Sequence, residues 1–316
     1  MKRRIIAALA ALGLTATMAV GLAPAAQAAD PVDYVALGDS VAGGNGLLPY
    51  IADDGCLQSK KKSYPMQLAK SLGLSAVTRA CSGASTLAVG TVQLPAAVAS
   101  GALGPATELV TLTVGVNDVQ WAGGSWGSAV IACSNEINPI DCSTALYLAL
   151  GSLTALPGLT PPAVPLNDRI TMLVGAIRAA APNAEIVVTG YPFFFGDFTG
   201  TCGTGLLDRP EAGIRTPLTY SPDEAQQVDQ ATGVANGLIA QGVLASGDPK
   251  ALYVDVNGAV PGVASFDGHG FCDTGDAWIS GLMPSTAKPV DRGFHPNAPG
   301  QAAYAAIIAQ ALALAP

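Results

Sequence analysis

Ser40 and His295 are the residues of this chain whose types and settings could do chemistry together. Ser40 stands in Gly38-Asp39-Ser40-Val41-Ala42-Gly43-Gly44, directly after an apolar run, and His295 in Asp291-Arg292-Gly293-Phe294-His295-Pro296-Asn297. A serine hydroxyl is a poor nucleophile until a neighbouring base takes its proton, and imidazole is the usual base. The chain holds only 2 histidines, so the choice of base is narrow. The two segments together point to hydrolysis through a nucleophilic serine.

Attack on an ester carbonyl also needs donors aimed where negative charge develops on oxygen. The glycines around Ser40 permit a tight turn and leave the Ser40 amide free to point into a site. Cys81-Ser82-Gly83-Ala84 offers the Gly83 amide, and Gly115-Val116-Asn117-Asp118 the Asn117 side-chain amide. Singly, each has a plain structural reading, since Asp-Ser caps helices and Gly or Asn-Asp is common in loops. Their force is positional, because each follows a predicted strand.

Those strands are short apolar runs at 32–37, 76–80, 109–114, 185–190 and 252–256. Between them lie helical patterns. Ser63-Tyr64-Pro65 opens one; 165–181 is amphipathic, with Ile170, Leu173, Val174 and Ile177 on one face; 222–244 and 299–314 are two more. Strand–helix alternation predicts a parallel sheet with helices on both faces. Stretches 119–140, 191–221 and 257–294 fit no regular element. In an open parallel sheet, loops after strand carboxyl ends form the ligand crevice. All seven phenylalanines (193, 194, 195, 198, 266, 271 and 294) fall in the last two stretches. They either fill small loop cores or line an apolar acyl-binding wall.

Two decoys compete. Gly123-Gly124-Ser125-Trp126-Gly127 matches the G-x-S-x-G nucleophile elbow, which needs a strand immediately before it. The nearest predicted strand ends at Val114, so a glycine-rich surface loop is the better reading. His269, in Asp267-Gly268-His269-Gly270, is the rival base, but no proline-led helix follows it. It reads as a loop histidine.

Bulk properties narrow the setting. Lys2, Arg3 and Arg4, an apolar run over 5–22 and Ala26-Gln27-Ala28 form a secretory signal pattern over 1–28, leaving 29–316 as one expected domain. Removing three basic residues takes the formal net charge from −8 to −11. With no basic stripe, nucleic acid and anionic membrane surfaces are poor partners. Cys56, Cys81, Cys133, Cys142, Cys202 and Cys272 are an even set in an exported chain, which implies disulfides and leaves their pairing open. A metal site is disfavoured by the lack of C-x-x-C and the few histidines.

In order, Gly38-Asp39-Ser40, Gly83, Gly115-x-Asn117-Asp118 and His295-Pro296 resemble the four blocks of the GDSL, or SGNH, hydrolase superfamily. The chain looks most similar to the secreted bacterial esterase and lipase branch with three disulfides. The resemblance implies a flavodoxin-like three-layer α/β/α fold on a central parallel five-stranded sheet. It implies Ser40 as nucleophile, His295 as base, and an oxyanion hole from the Ser40 and Gly83 amides plus Asn117. It also implies disulfides Cys56–Cys81, Cys133–Cys142 and Cys202–Cys272, and no cofactor. One position departs: many members carry aspartate three residues before the histidine, where this chain has Arg292. An arginine side chain cannot accept the imidazole proton. Either Asp291 or a backbone carbonyl must orient His295, and the Arg292 carbonyl is preferred.

The expectation is therefore a secreted, monomeric, metal-independent carboxylic-ester hydrolase acting through an acyl-Ser40 intermediate on lipid-type esters. A carbohydrate deacetylase is the alternative enzyme, with Trp121, Trp126 and Trp278 as possible groove walls. A catalytically idle binding protein is the alternative from another class.

Overall fold

The computed structural model describes residues 32–52, 54–120, 125–134, 140–209, 214–258, 264–273, 275–282 and 293–315. Five parallel strands form the central sheet. They are β1 (Tyr34–Gly38), β2 (Ala76–Thr78), β3 (Leu109–Thr113), β4 (Glu185–Thr189) and, after a separate hairpin, β7 (Ala251–Val254). Their spatial order is β2-β1-β3-β4-β7, the flavodoxin-like arrangement. Every residue of β1 and of β3 is buried, as expected for strands covered on both faces. The predicted strands all lie within two residues of the observed ones.

The hairpin is a correction. Stretch 191–221, read as irregular, contains β5 (Cys202–Arg209) and β6 (Ile214–Tyr220), paired antiparallel. Gly203, Gly205 and Pro217 weaken the strand pattern, and the ladder shifts register between Gly203 and Gly205.

The helices are α1 (Ser40–Gly43), α2 (Tyr64–Leu72), α3 (Thr86–Ala88), α4 (Leu94–Ala99), α5 (Trp126–Ala132), α6 (Cys142–Gly151), α7 (Leu166–Ala180), α8 (Pro222–Ala245) and α9 (Ala298–Leu314). A π-helical turn, Val89–Gln93, joins α3 to α4. Their starts obey local chemistry. Ser221 and Glu224 form a capping box on α8 with Pro222 at its first position, and Asn297 caps α9 through the Gly300 amide. On α7 the side chains of Leu166, Ile170, Leu173, Val174 and Ile177 share one buried face. Gly242 of α8 lets the two helices meet, because a Cβ there would lie 2.4 Å from the Asn167 carbonyl oxygen. Helices α1, α3, α4, α5 and α6 were not foreseen. Helix α5 lies within stretch 119–140, and α6 is apolar nearly all round and shows no helical period.

All six cysteines are paired, as Cys56–Cys81, Cys133–Cys142 and Cys202–Cys272. Among the described residues no helix is long and apolar enough to cross a membrane.

Candidate active site

The site lies at the carboxyl ends of β1 and β3, neighbours at the point where strand order reverses. The chain leaves β1 through Gly38, whose φ of 135° suits glycine. Asp39 N donates to the Thr113 carbonyl at 3.0 Å. Gln93 clamps Gly38 on both sides, Oε1 accepting from its amide at 2.9 Å and Nε2 donating to its carbonyl at 2.8 Å. Asp39, fully buried, caps α1 by accepting from Val41 N at 2.9 Å. Ser40 is thus the first residue of α1.

His295 reaches Ser40 from the far end of the chain. Its Nε2 is 2.7 Å from Ser40 Oγ, and its Nδ1 is 2.8 Å from the Gly293 carbonyl oxygen. A carbonyl only accepts, so the neutral ring carries its proton on Nδ1 and presents a bare Nε2 to the serine hydroxyl. That is the tautomer a general base needs. Arg292 and Asp291, weighed earlier as orienting groups, lie outside the described residues; the contact with Gly293 was not foreseen.

The histidine segment is held from three sides. It pairs with the stretch before it: Phe294 N donates to Ser280 O at 2.8 Å, Ser280 N to His295 O at 2.9 Å, and Asn297 N to Trp278 O at 2.8 Å. Phe294 adopts a left-handed φ of 60°, uncommon for a bulky residue. Its ring is fixed against Phe194, Phe195 and Tyr220, with centroids 5.8, 6.1 and 6.5 Å away. From α9, buried Gln301 donates to Val41 O at 2.9 Å and accepts from Tyr64 N at 2.5 Å, pinning the helix after His295 to the turn that carries Ser40.

The three predicted oxyanion donors come from turns after adjacent strands, β2, β1 and β3. Among the described residues neither the Ser40 nor the Gly83 amide has a hydrogen-bond acceptor. Gly83 sits at φ 75°, in a turn fixed by Cys56–Cys81 and by Asn45 Nδ2 donating to Ser82 Oγ at 2.9 Å. Among the described residues Asn117 Nδ2 makes only long contacts, 3.3 Å to Ala84 O and 3.5 Å to Asp39 Oδ2. Asp118 has a different task. Its carboxylate accepts from Thr86 N at 2.9 Å, from Thr86 Oγ1 at 2.5 Å and from Arg169 Nη1 at 2.8 Å, so it ties the turns after β2 and β3 to α7. Thr86 and Arg169 carry no local sequence signal for this role.

Burial pushes the Asp39 carboxyl up to about 7, while hydrogen bonds from Tyr191 and Val41 pull the other way and nearby Asp118 adds to the rise. Desolvation of the charged form is the largest influence, and among the described residues no cation is placed to offset it.

The decoys settle elsewhere. Ser125 is the N-cap of α5, accepting from Ser128 N, not a residue on a strand-to-helix elbow. His269 stacks on Trp278 at 3.6 Å, and its Nδ1 lies 2.9 Å from the Asp276 carbonyl. Trp126 is 2% exposed and forms no groove wall, and Trp121 lies outside the described residues. Phe194, Phe195, Phe266 and Phe294 are buried in the core. Phe193, Phe198 and Phe266 border a cavity of about 410 Å³ that also carries Asp197, Asp229 and Asp273, an acidic lining unlike an acyl wall.

A serine–imidazole pair at the switch point of a flavodoxin-like sheet defines a serine-hydrolase architecture. The GDSL-like lipase/acylhydrolase family matches residues 36–303. The chain belongs to that family and is a carboxylic-ester hydrolase. It is 31% identical over 302 residues to a lipase of Streptomyces rimosus, covering 94% of each chain. It is also 31% identical to lipase 2 of Streptomyces coelicolor, over 94% of this chain and 91% of that one. Among solved structures it resembles phospholipase A1 from Streptomyces albidoflavus, with a TM-score of 0.65, 27% identity, and coverage of 88% of this chain and 98% of that one. An extracellular lipase from Streptomyces rimosus gives a TM-score of 0.63 at 27% identity, over 88% and 99% of the two chains.

Proposed function

We propose that this chain is an exported hydrolase of lipid-type acyl esters in which Ser40 is the nucleophile and His295 the base. The contact of 2.7 Å between His295 Nε2 and Ser40 Oγ carries the reading. Ser40 Oγ attacks the ester carbonyl carbon as its proton passes to Nε2. The tetrahedral intermediate places its oxyanion among the Ser40 and Gly83 amides and Asn117 Nδ2. Collapse expels the alcohol, which takes the proton from Nε2 and leaves acyl-Ser40. Water then attacks, giving a proton to Nε2; the acid departs and the proton returns to Ser40 Oγ. The Gly293 carbonyl holds the ring and stabilises the imidazolium formed in each half-reaction. Lipid esters are favoured over sugar acetates by the lipase and phospholipase A1 relatives and by the burial of Trp126. Export is supported by the leader pattern over 1–28, the three disulfides and the extracellular lipase among the similar structures.

The test is hydrolysis of short-chain and long-chain p-nitrophenyl esters and of emulsified glyceride and phospholipid by the wild type and Ser40→Ala. Removing a nucleophile that works as a unit with its base should lower kcat by several orders of magnitude, ~10⁴ or more, with the melting temperature nearly unchanged. An active Ser40→Ala beside an inactive Ser125→Ala would overturn the assignment.

A further inference from the structure

Tyr191 lies just past β4 and is 2% exposed. Nothing in its sequence context marks it, but its main chain is fixed with unusual care. Its amide donates to Asn236 Oδ1 at 2.7 Å, and its carbonyl accepts from Asn236 Nδ2 and Asn257 Nδ2, both at 2.8 Å. Side chains from α8 and from the segment after β7 thus hold one backbone unit. The phenol they position ends at the catalytic turns. Tyr191 Oη donates to Asp39 Oδ2 at 2.5 Å and lies 3.5 Å from the Val116 amide, which can donate to it.

The same Asp39 oxygen faces Asn117 Nδ2, and the other caps the helix that begins at Ser40. One hydroxyl therefore sits where the turns after β1, β3 and β4 meet. Among the described residues the Asn117 amide makes only contacts of 3.3 and 3.5 Å, so these do not lock its orientation. Its setting depends on the Ala84 carbonyl and on where the Asp39 carboxyl is held. A hydrogen bond to a buried carboxyl is among the stronger ones available to fix that position.

We infer that Tyr191 is a positioning residue of the ester hydrolase. Its hydroxyl fixes the Asp39 carboxyl, and through it sets the Asn117 amide toward the developing oxyanion beside Ser40. This rests on the reading of Ser40 and Asn117 proposed above. The competing account is that Tyr191 merely fills the core with its ring.

Tyr191→Phe separates the two, because it keeps the ring and removes only the hydroxyl. Kinetics on a soluble p-nitrophenyl ester should show kcat reduced roughly 10- to 50-fold, with KM changed less than about twofold, as for an interaction felt in the transition state. Since the effect travels through Asn117, the same change made in Asn117→Ala should cost less than about threefold. A folded Tyr191→Phe with unaltered kcat, or a full additional loss in Asn117→Ala, would overturn the inference. If Tyr191→Phe fails to fold, Asp39→Asn serves instead. It should lower kcat by a similar factor, again suppressed in Asn117→Ala, and full activity in that variant would equally sink the idea. Ser40→Ala, run in parallel, distinguishes the failures: an active Ser40→Ala removes the underlying reading, whereas an inactive one beside a normal Tyr191→Phe removes only this inference.

Discussion

A Cβ atom at Gly38 would lie 2.3 Å from the carbonyl oxygen of Thr113 on the neighbouring strand. The first residue of the Gly-Asp-Ser motif is therefore glycine for a steric reason as well as for its φ of 135°. Strand β3 passes so close behind the turn that the Asp39 amide can bond the same carbonyl. Gly38 thereby sets how far Ser40 stands from Asn117, the proposed oxyanion donor after β3.

Gly38→Ala should accordingly damage both stability and catalysis. Overpacking and backbone strain each cost about 1–3 kcal/mol, and here the colliding atom is main chain that cannot rotate away. Any relief must move the Ser40 turn, and a displacement of ~1 Å at a reacting group can cost ~100-fold in rate. Urea denaturation together with kcat/KM on a soluble ester checks both. A variant with normal stability and rate would show that the turn tolerates the shift.

The orientation of His295 gives a second prediction. Asp291→Asn should lower kcat/KM only a few-fold, because the Gly293 carbonyl that meets Nδ1 survives any side-chain replacement. Loss of a true triad aspartate costs ~10⁴-fold. A loss of that size in a correctly folded Asp291→Asn would make its carboxylate the partner instead.

Much of this arrangement was legible from residue types, and the limits are physical. The five strands and the segments of Ser40, Gly83, Asn117 and His295 are local patterns, readable because turn chemistry and strand periodicity act over a few residues. Partners fixed only by tertiary contact were not. The bond from Tyr191 to Asp39 spans 152 residues, and Arg169 reaches Asp118 across 51. The Gly293 contact was hidden for another reason: every residue has a carbonyl, so no residue type marks it. The hairpin β5–β6 escaped because its glycines and Pro217 are normally evidence against a strand.

Stability should fall as pH rises through the neutral range. Asp39 and Asp229 are both pushed by burial to about 7, well above the ordinary value of 3.8 in the unfolded chain. For a raised carboxyl the native state holds its proton more tightly, so the stabilising contribution is full below 3.8 and is lost as pH climbs through about 7. Asp141, lowered to about 2 by hydrogen bonds from Ser143 and Thr144, acts oppositely; its contribution is present above 3.8 and is lost as pH falls through about 2. Between these limits the two buried groups set the slope. Calorimetry should show the melting temperature dropping from about pH 5 to about pH 8, with a shallower drop in Asp39→Asn. A melting temperature that rises over this interval would exclude these carboxyls as the controlling groups.

The Cys202–Cys272 bridge should matter more to stability than to the chemical step. It joins the start of β5 to the loop after β7, across a separation of 70 residues. On the chain-entropy account, closing a loop of that length restricts the unfolded chain by about 4 kcal/mol. Among the described residues, none of the contacts given above for Ser40 and His295 passes through either sulfur. Yet Cys272 N donates to Phe195 O at 2.9 Å, and Phe195 packs on Phe294, the residue before His295. The double variant Cys202→Ser/Cys272→Ser should melt several degrees lower while keeping kcat within a few-fold at temperatures where it is folded. Its main kinetic change should be in KM, because in an open parallel sheet the loops after strand carboxyl ends form the ligand crevice. A collapse of kcat in the folded double variant would mean instead that the bridge, through Phe195 and Phe294, holds the histidine itself.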